Sequence, residues 1–178
     1  MNRITAREMT KEDINFVIDY FHNASEAFLL GMGAIKNKLP DKKTWHNQIL
    51  KEVEKDYTEK QNYYTIWEYN NNPVGHCNIN QLVYGKKGFM HLHLWKNPNR
   101  QKGLGTQFIK KSLPFFFNNF NLDCLFCEPF SKNKAPNKTL LKVGFDFIKK
   151  YETIPGKINF LQEVSQYKLT KSKYYKLN

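Results

Sequence analysis

Two histidines stand two residues apart in FMHLHLW, residues 89–95. The alternation reads as a β-strand. A strand's two-residue period places Phe89, His91, His93 and Trp95 on one face and Met90, Leu92 and Leu94 on the other. The second set has the composition of a core face. The first carries two imidazoles, whose unperturbed pKa of about 6.5 lets them accept a proton near neutrality. Glu128, closing the apolar stretch LDCLFCE at 122–128, is a second candidate proton acceptor. Plainer readings stand beside these: two hydrogen-bonded histidines lining a groove, and a carboxylate at a solvated strand end. His76, on the preceding strand, could join His91 and His93 as a third metal ligand.

Directly after the histidine strand comes NPNRQKGLGTQF, residues 97–108, with Gly103 and Gly105 two apart. A helix is expected to open near Leu104. The first N–H groups of a helix lack internal partners and sit at the positive end of its dipole, so an anion there meets several donors at once. Glycine would let that anion approach the backbone closely. Arg100, Lys102, Lys110 and Lys111 add positive charge, and a pyrophosphate suits such a loop. The dinucleotide fingerprint GxGxxG is broken by Phe108, and no Gly-Lys-Ser/Thr follows to make a P-loop.

The elements that must position these groups follow from pattern. Residues 3–9 read as a short strand. Thr10 opens a capped amphipathic helix through Ile14, Val17, Ile18 and Phe21. Residues 25–40 read as a short helix and a loop broken by Gly31, Gly33 and Pro40, and 41–56 resume a helix through Trp45, Ile49, Leu50 and Val53. Three strands follow, at 63–69, 74–84 and 89–95, joined by tight turns. A helix spans 104–118, where Pro114 should kink or restart it. Next come a buried strand at 122–128, a helix over 136–143 ended by Gly144, and two final strands around 145–153 and 160–169. The order predicts an α/β fold: one domain, residues 1–178, with a mixed sheet and helices on both faces.

The chain carries 28 Lys and Arg against 16 Asp and Glu, a formal net charge of +12. A basic surface suits nucleic acid, a membrane face or a small polyanion such as a nucleotide cofactor. No arginine-rich helix, RNP-like strand or zinc-finger spacing supports the first, so no nucleic-acid partner is expected. No apolar run is long enough to cross a bilayer, and no membrane partner is expected. The start, MNRITAREMTKEDINF, has charges where a secretory signal needs an apolar stretch, so a cytoplasmic location is expected. The cysteines Cys77, Cys124 and Cys127 are odd in number, which argues against a disulfide framework. Cys124 and Cys127 lie three apart on an expected strand and face opposite ways, as small core residues would. Nothing in the pattern separates a monomer from a homodimer.

Arg100-Gln101-Lys102-Gly103-Leu104-Gly105 after a three-strand meander resembles the GNAT N-acetyltransferases, whose pyrophosphate loop reads Arg/Gln-x-x-Gly-x-Gly/Ala. Pro98 precedes it, as is usual in that family. Downstream, NKAPNKTLLKVGF at 133–145 is similar to the family's second signature, an asparagine, a helix and Gly-Phe. Its spacing resembles the branch that acetylates ribosomal-protein N-termini. The resemblance implies a mostly antiparallel central sheet, splayed between strands 89–95 and 122–128, with a thioester in the gap. It implies acetyl-CoA as co-substrate, no metal, and a primary amine as acceptor, either a small molecule or a protein N-terminus.

By the same resemblance, backbone N–H groups from Gln101 through Lys102, Gly103, Leu104 and Gly105 to Thr106 would hold the pyrophosphate. Leu94 and Trp95 would offer backbone bonds to the pantetheine arm, and Asn133 would touch the arm near the thiol. Many relatives carry a glutamate as base near the position of His91. An attacking amine must lose a proton, the oxyanion needs backbone donors, and the thiolate can take a proton from an acid. The family's tyrosine acid is replaced here by Leu140, and Pro136 replaces a serine common in the ribosomal-protein branch. These departures admit a second expectation, a CoA-binding or interaction module without turnover.

Overall fold

The computed structural model of the chain describes residues 3–95 and 103–177. Its centre is a seven-stranded sheet: β1 (Ile4–Glu8), β2 (Tyr63–Tyr69), β3 (Asn72–Val83), β4 (Lys87–Leu94), β5 (Cys124–Cys127), β6 (Asp146–Thr153) and β7 (Gln162–Thr170). The spatial order is β1-β2-β3-β4-β5-β7-β6. Every neighbouring pair is antiparallel except β4 and β5. The mixed, mostly antiparallel sheet with helices on both faces is therefore the architecture expected from the sequence.

The two faces are set by strand alternation. On β2, Tyr63 and Trp67 join one core while Ile66 joins the other. The first core packs under α4 (Leu104–Phe120) and α5 (Lys134–Val143), with Cys77, Ile79 and Met90 from the sheet. The second packs under α1 (Ile14–His22), α2 (Glu26–Gly31) and α3 (Lys42–Glu54), through Val17, Ile18, Phe21, Leu29 and Ile49. Thr10 and Asp13 form the capping box that starts α1. Ser25 and Asp41 cap α2 and α3 by accepting from the N–H groups of Phe28 and Thr44.

Two elements depart from expectation. α4 runs on through Pro114 to Phe120. A proline inside a helix costs about 3 kcal/mol. The helix buries Phe108, Ile109, Leu113, Phe116, Phe117 and Phe120, each contributing about 2 kcal/mol, so burial outweighs the break. At the other end, a short α6 (Lys171–Leu177) follows β7. Its lysine-rich sequence hides one anchor, Tyr174, whose ring stacks on Phe117 at 4.4 Å.

Candidate active site

β4 and β5 pair only at Lys87–Cys124, Gly88–Leu125 and Phe89–Phe126. Beyond that point the two strands part. The rings of Phe89 and Phe126 stack at 5.3 Å, so these residues share a face. Two residues further along each chain segment, strand alternation puts His91 and Glu128 on that same face. A cavity of about 280 Å³ occupies the split, and His91, His93, Glu128 and Asn133 all line it. Four of the residues singled out in the sequence thus come together at one place.

The histidines belong to a row that runs across two strands. His76 lies opposite His93, and Asn78 opposite His91. The His76 and His93 rings stack at 4.7 Å. Trp95 Nε1 donates to His76 Nδ1 at 2.7 Å, which leaves the proton of neutral His76 on Nε2. Tyr20 and Phe21 close over His93 with ring contacts at 5.5 and 5.0 Å. Burial lowers His91 to about 4. Burial, helped by neighbouring His91, lowers His93 to about 3. His76 is pushed well below its usual value by burial and then by the other two imidazoles. The row is neutral at physiological pH. His91 Nε2 and His93 Nδ1 have no hydrogen-bond partner among the described residues. The groove-lining reading with satisfied histidines therefore does not describe these two nitrogens.

Glu128 is not a solvated strand end. Its Oε1 accepts from Tyr151 Oη at 2.6 Å and from Gln166 Nε2 at 2.5 Å, so β6 and β7 hold the carboxylate at the cavity wall. Burial and this bond to Glu128 push the Tyr151 phenol up to about 12. Asn133 caps α5 and reaches the cavity with its side chain uncommitted to the helix. The α5 turn behind it is fixed by Asn137, whose Nδ2 donates to the carbonyls of Asn133 at 2.7 Å and Phe130 at 3.1 Å. Asn137 Oδ1 in turn accepts from Tyr167. Leu140, in the position where a tyrosine was sought, is fully buried in the core.

The glycine turn is described only from Gly103 onward; Arg100, Gln101 and Lys102 lie outside the described residues. Gly103 caps α4 in the left-handed region, φ 71°, and a Cβ there would meet nothing within 4 Å. The space before the helix is open and only glycine adopts that backbone freely. At Gly105 a Cβ would make an ordinary contact, 3.7 Å from Thr139 Cγ2 of α5. Leu104 is buried. The Thr106 N–H donates to Gly103 O at 3.2 Å, so the anion-facing amides among the described residues narrow to those before it. The Trp95 N–H donates to Val74 O at 2.8 Å, and its indole holds His76, so a backbone bond from Trp95 to the arm would come from its carbonyl.

Sequence reasoning passed over the rest of the cavity wall. Asn78 and Asn80 lie two and four residues beyond His76 on β3, a polar alternation in HCNIN that gives this strand a second hydrogen-bonding face. Residues 155–159, between β6 and β7, form a strap across the opening. Ile35 N donates to Ile158 O at 2.8 Å, and Asn159 Nδ2 and Gln162 Nε2 donate to Gly33 O at 2.8 and 2.9 Å. Of the apolar residues in the segment 25–40, Met32 lines the cavity, Leu29 is core, and Leu30 is exposed. Cys77, Cys124 and Cys127 are free thiols. Among the described residues no group of three or more His, Cys, Asp or Glu could hold a metal ion, and no helix is long and apolar enough to cross a membrane.

A sheet split between β4 and β5, with a glycine-opened helix beside it, is the architecture of one family. The family model for the acetyltransferase (GNAT) domain matches residues 3–146, and the chain belongs to that family. No curated protein matches the sequence. Among solved structures, the spermidine N-acetyltransferase of Vibrio cholerae in complex with CoA and spermine is similar, with TM-score 0.76 and 16% identity over 97% of this chain and 98% of that one. The aminoglycoside acetyltransferase AAC(6')-Ib in complex with coenzyme A and kanamycin matches with TM-score 0.74 and 16% identity over 98% of each chain. Identity this low establishes the shared fold.

Proposed function

We propose that the protein transfers an acetyl group from acetyl-CoA to a primary amine by direct attack. The observation that carries this reading is the split itself: a cavity at the end of the β4–β5 pairing, lined by both His91 and Glu128. Acetyl-CoA, as co-substrate, supplies the thioester; the N–C bond forms as the C–S bond breaks, the proton lost by nitrogen passes to the base, and CoA leaves as the thiolate.

The residues present fit that co-substrate. The open left-handed turn at Gly103 and the α4 N-terminus suit its pyrophosphate. Leu94 borders the split where an extended arm would run, and Asn133 sits at its inner end. Arg100, Gln101 and Lys102 are proposed for the pyrophosphate on the strength of the motif, Trp95 keeps its carbonyl for the arm, and Thr106 is set aside for the reason above.

His91 Nε2 is the proposed proton acceptor, being neutral, unpaired and on the cavity wall. His93, boxed by Tyr20, Phe21 and His76, is the alternative acceptor. Glu128, fixed by Tyr151 and Gln166, attracts the incoming ammonium. Tyr151 and Tyr167 donate their hydroxyls to Glu128 and Asn137, so neither takes the place of the acid absent at Leu140, and the thiolate leaves unprotonated. Protein N-termini, including those of ribosomal proteins, and small-molecule amines like those of the similar structures are the acceptor classes to test.

The test is thiol release from acetyl-CoA with an amine panel, set beside calorimetric binding of acetyl-CoA. Release above background with any amine, lost in His91→Gln, supports the reading. Binding without release from any amine overturns it in favour of a non-catalytic CoA-binding module.

A further inference from the structure

β6 closes one margin of the sheet. The strand order ends β7-β6, and the outer edge of β6 pairs with no strand among the described residues. Such an edge shows a row of unpaired N–H and C=O groups that another strand can complete, and proteins blunt it by shortness, charge or a covering element. β6 is neither short nor covered: of its eight residues, Asp146–Thr153, six are exposed. Phe147 and Ile148, and Ile154 just past the strand, are 49%, 47% and 57% exposed.

The charges of β6 decide what can lie against it. Lys149 lays its Nζ over the Tyr151 ring at 4.7 Å, and Tyr151 holds Glu128, so both belong to the cavity face. Lys150 and Glu152 alternate onto the other face. There Lys150 meets Glu163 of β7 at 3.3 Å, and Glu152 stands opposite that same Glu163 in the ladder. Two carboxylates share one lysine, and Glu152 has no ion-pair partner among the described residues.

Two copies of β6 can meet antiparallel about a two-fold axis. Residues directly opposite must share a face, so the axis passes between one residue and its own copy. Centred on Lys149, Lys150 or Glu152, the pairing sets like charges against each other, which destabilises a ladder. Centred on Tyr151, it sets Lys150 against Glu152 of the second copy, twice. The Ile148 end of one strand then lies beside the Ile154 end of the other, and each covers the other. The strand itself is neutral, Asp146 and Glu152 against Lys149 and Lys150, in a chain of net charge +12. This edge therefore adds nothing to the repulsion between copies.

We propose that β6 is a homodimer contact: two copies join edge to edge, antiparallel about Tyr151, with their sheets continuous across the axis. The occupant is a second copy because the charge pattern answers itself; an acidic strand would meet Glu152, and a basic one Lys150. The backbone ladder supplies the attraction, and the two Lys150–Glu152 crossings fix the register. Tyr151, at the axis, is also the residue that holds Glu128, so the contact braces the strand behind the cavity wall.

The experiment is sedimentation equilibrium on the full chain and on two charge reversals, with thermal melts to check that each variant is folded. The wild-type protein should show twice the chain mass of 21.2 kDa at concentrations up to about 100 μM. Glu152→Lys and Lys150→Glu each set like charges opposite at both crossings and should weaken dimerisation at least about 10-fold. Mixed in equal amounts, the two variants restore opposite charges at both crossings and should associate about as tightly as the wild-type protein. A wild-type chain that stays monomeric, or a dimer that neither reversal weakens, overturns the proposal. Reversals that weaken the dimer without recovery on mixing overturn it as well, because the strands would not meet in this register.

Discussion

At the scale of single residues, the decisive feature is that the imidazoles of β4 have been made poor bases and left unpaired. A histidine of ordinary basicity would be partly protonated, and so useless as an acceptor, just below neutrality. Burial keeps His91 and His93 neutral down to about 4 and 3. The pH profile of kcat/KM should accordingly show no inflection near 6.5 and should rise with the titration of the acceptor amine itself; an inflection that moves when His91 is replaced, rather than when the amine is changed, would contradict this. His91→Gln should lower kcat about 10²- to 10⁴-fold, the usual contribution of a positioned base, with the affinity for acetyl-CoA unchanged in calorimetry. Glu128→Gln should act on the other substrate. Losing a charge-assisted bond of about 1.5–3 kcal/mol raises the acceptor KM about 10- to 100-fold with a smaller change in kcat, and the same substitution frees Tyr151 to titrate nearer its normal value.

At the scale of elements, local rules made most of the architecture legible and stopped where distant segments meet. The three meander strands, the capped α1 and the Gly144-ended α5 each announce themselves through period and punctuation. His91, His93 and Glu128 could be named because alternation assigns a face to each. That His91 and Glu128 line one cavity depends on the β4–β5 pairing, which no local pattern encodes. The same holds for Glu128's partners: Tyr151 and Gln166 lie on strands 23 and 38 residues away. Pro114 misled because helix propensity is a local cost, whereas the burial that overrides it belongs to the whole face. The strap over the cavity is the clearest case, since Gly33 and Gln162 lie 129 residues apart. Gly33 has φ 85°, and a Cβ there would fall 2.0 Å from Gln162 Oε1. Gly33→Ala must both strain the backbone and expel Gln162. We expect a loss of about 1–3 kcal/mol in urea unfolding and a raised KM for the acceptor. Acetyl-CoA binding, proposed at the α4 end of the split, should hold; a variant with wild-type acceptor KM would show that the strap does not shape that side.

At the scale of the molecule, a chain of net charge +12 keeps three imidazoles uncharged against one face of its sheet, and that choice has a thermodynamic signature. Unfolding returns His76, His91 and His93 to water, where each binds a proton with pKa about 6.5. The folded form does not take up those protons until about pH 4 for His91 and about 3 for His93. Between these limits the unfolded state holds more protons than the folded one, so stability is full above about pH 6.5 and is lost as pH falls toward 4. Carboxylates such as Asp13 act lower. Its own burial opposes ionisation, but Arg7 at 2.6 Å and the Thr10 amide hold it below its ordinary value, so the stability it contributes is lost only under more acid conditions. The interval from pH 6.5 to 4.5 therefore isolates the histidines. Melting temperature measured across it should fall steadily in the wild-type protein and distinctly less in the His91→Gln, His93→Gln double variant, which has fewer latent protonation sites to expose. Parallel slopes in the two proteins would mean that these imidazoles are already protonated in the fold, and with that the neutral His91 proposed to accept the amine's proton would be lost.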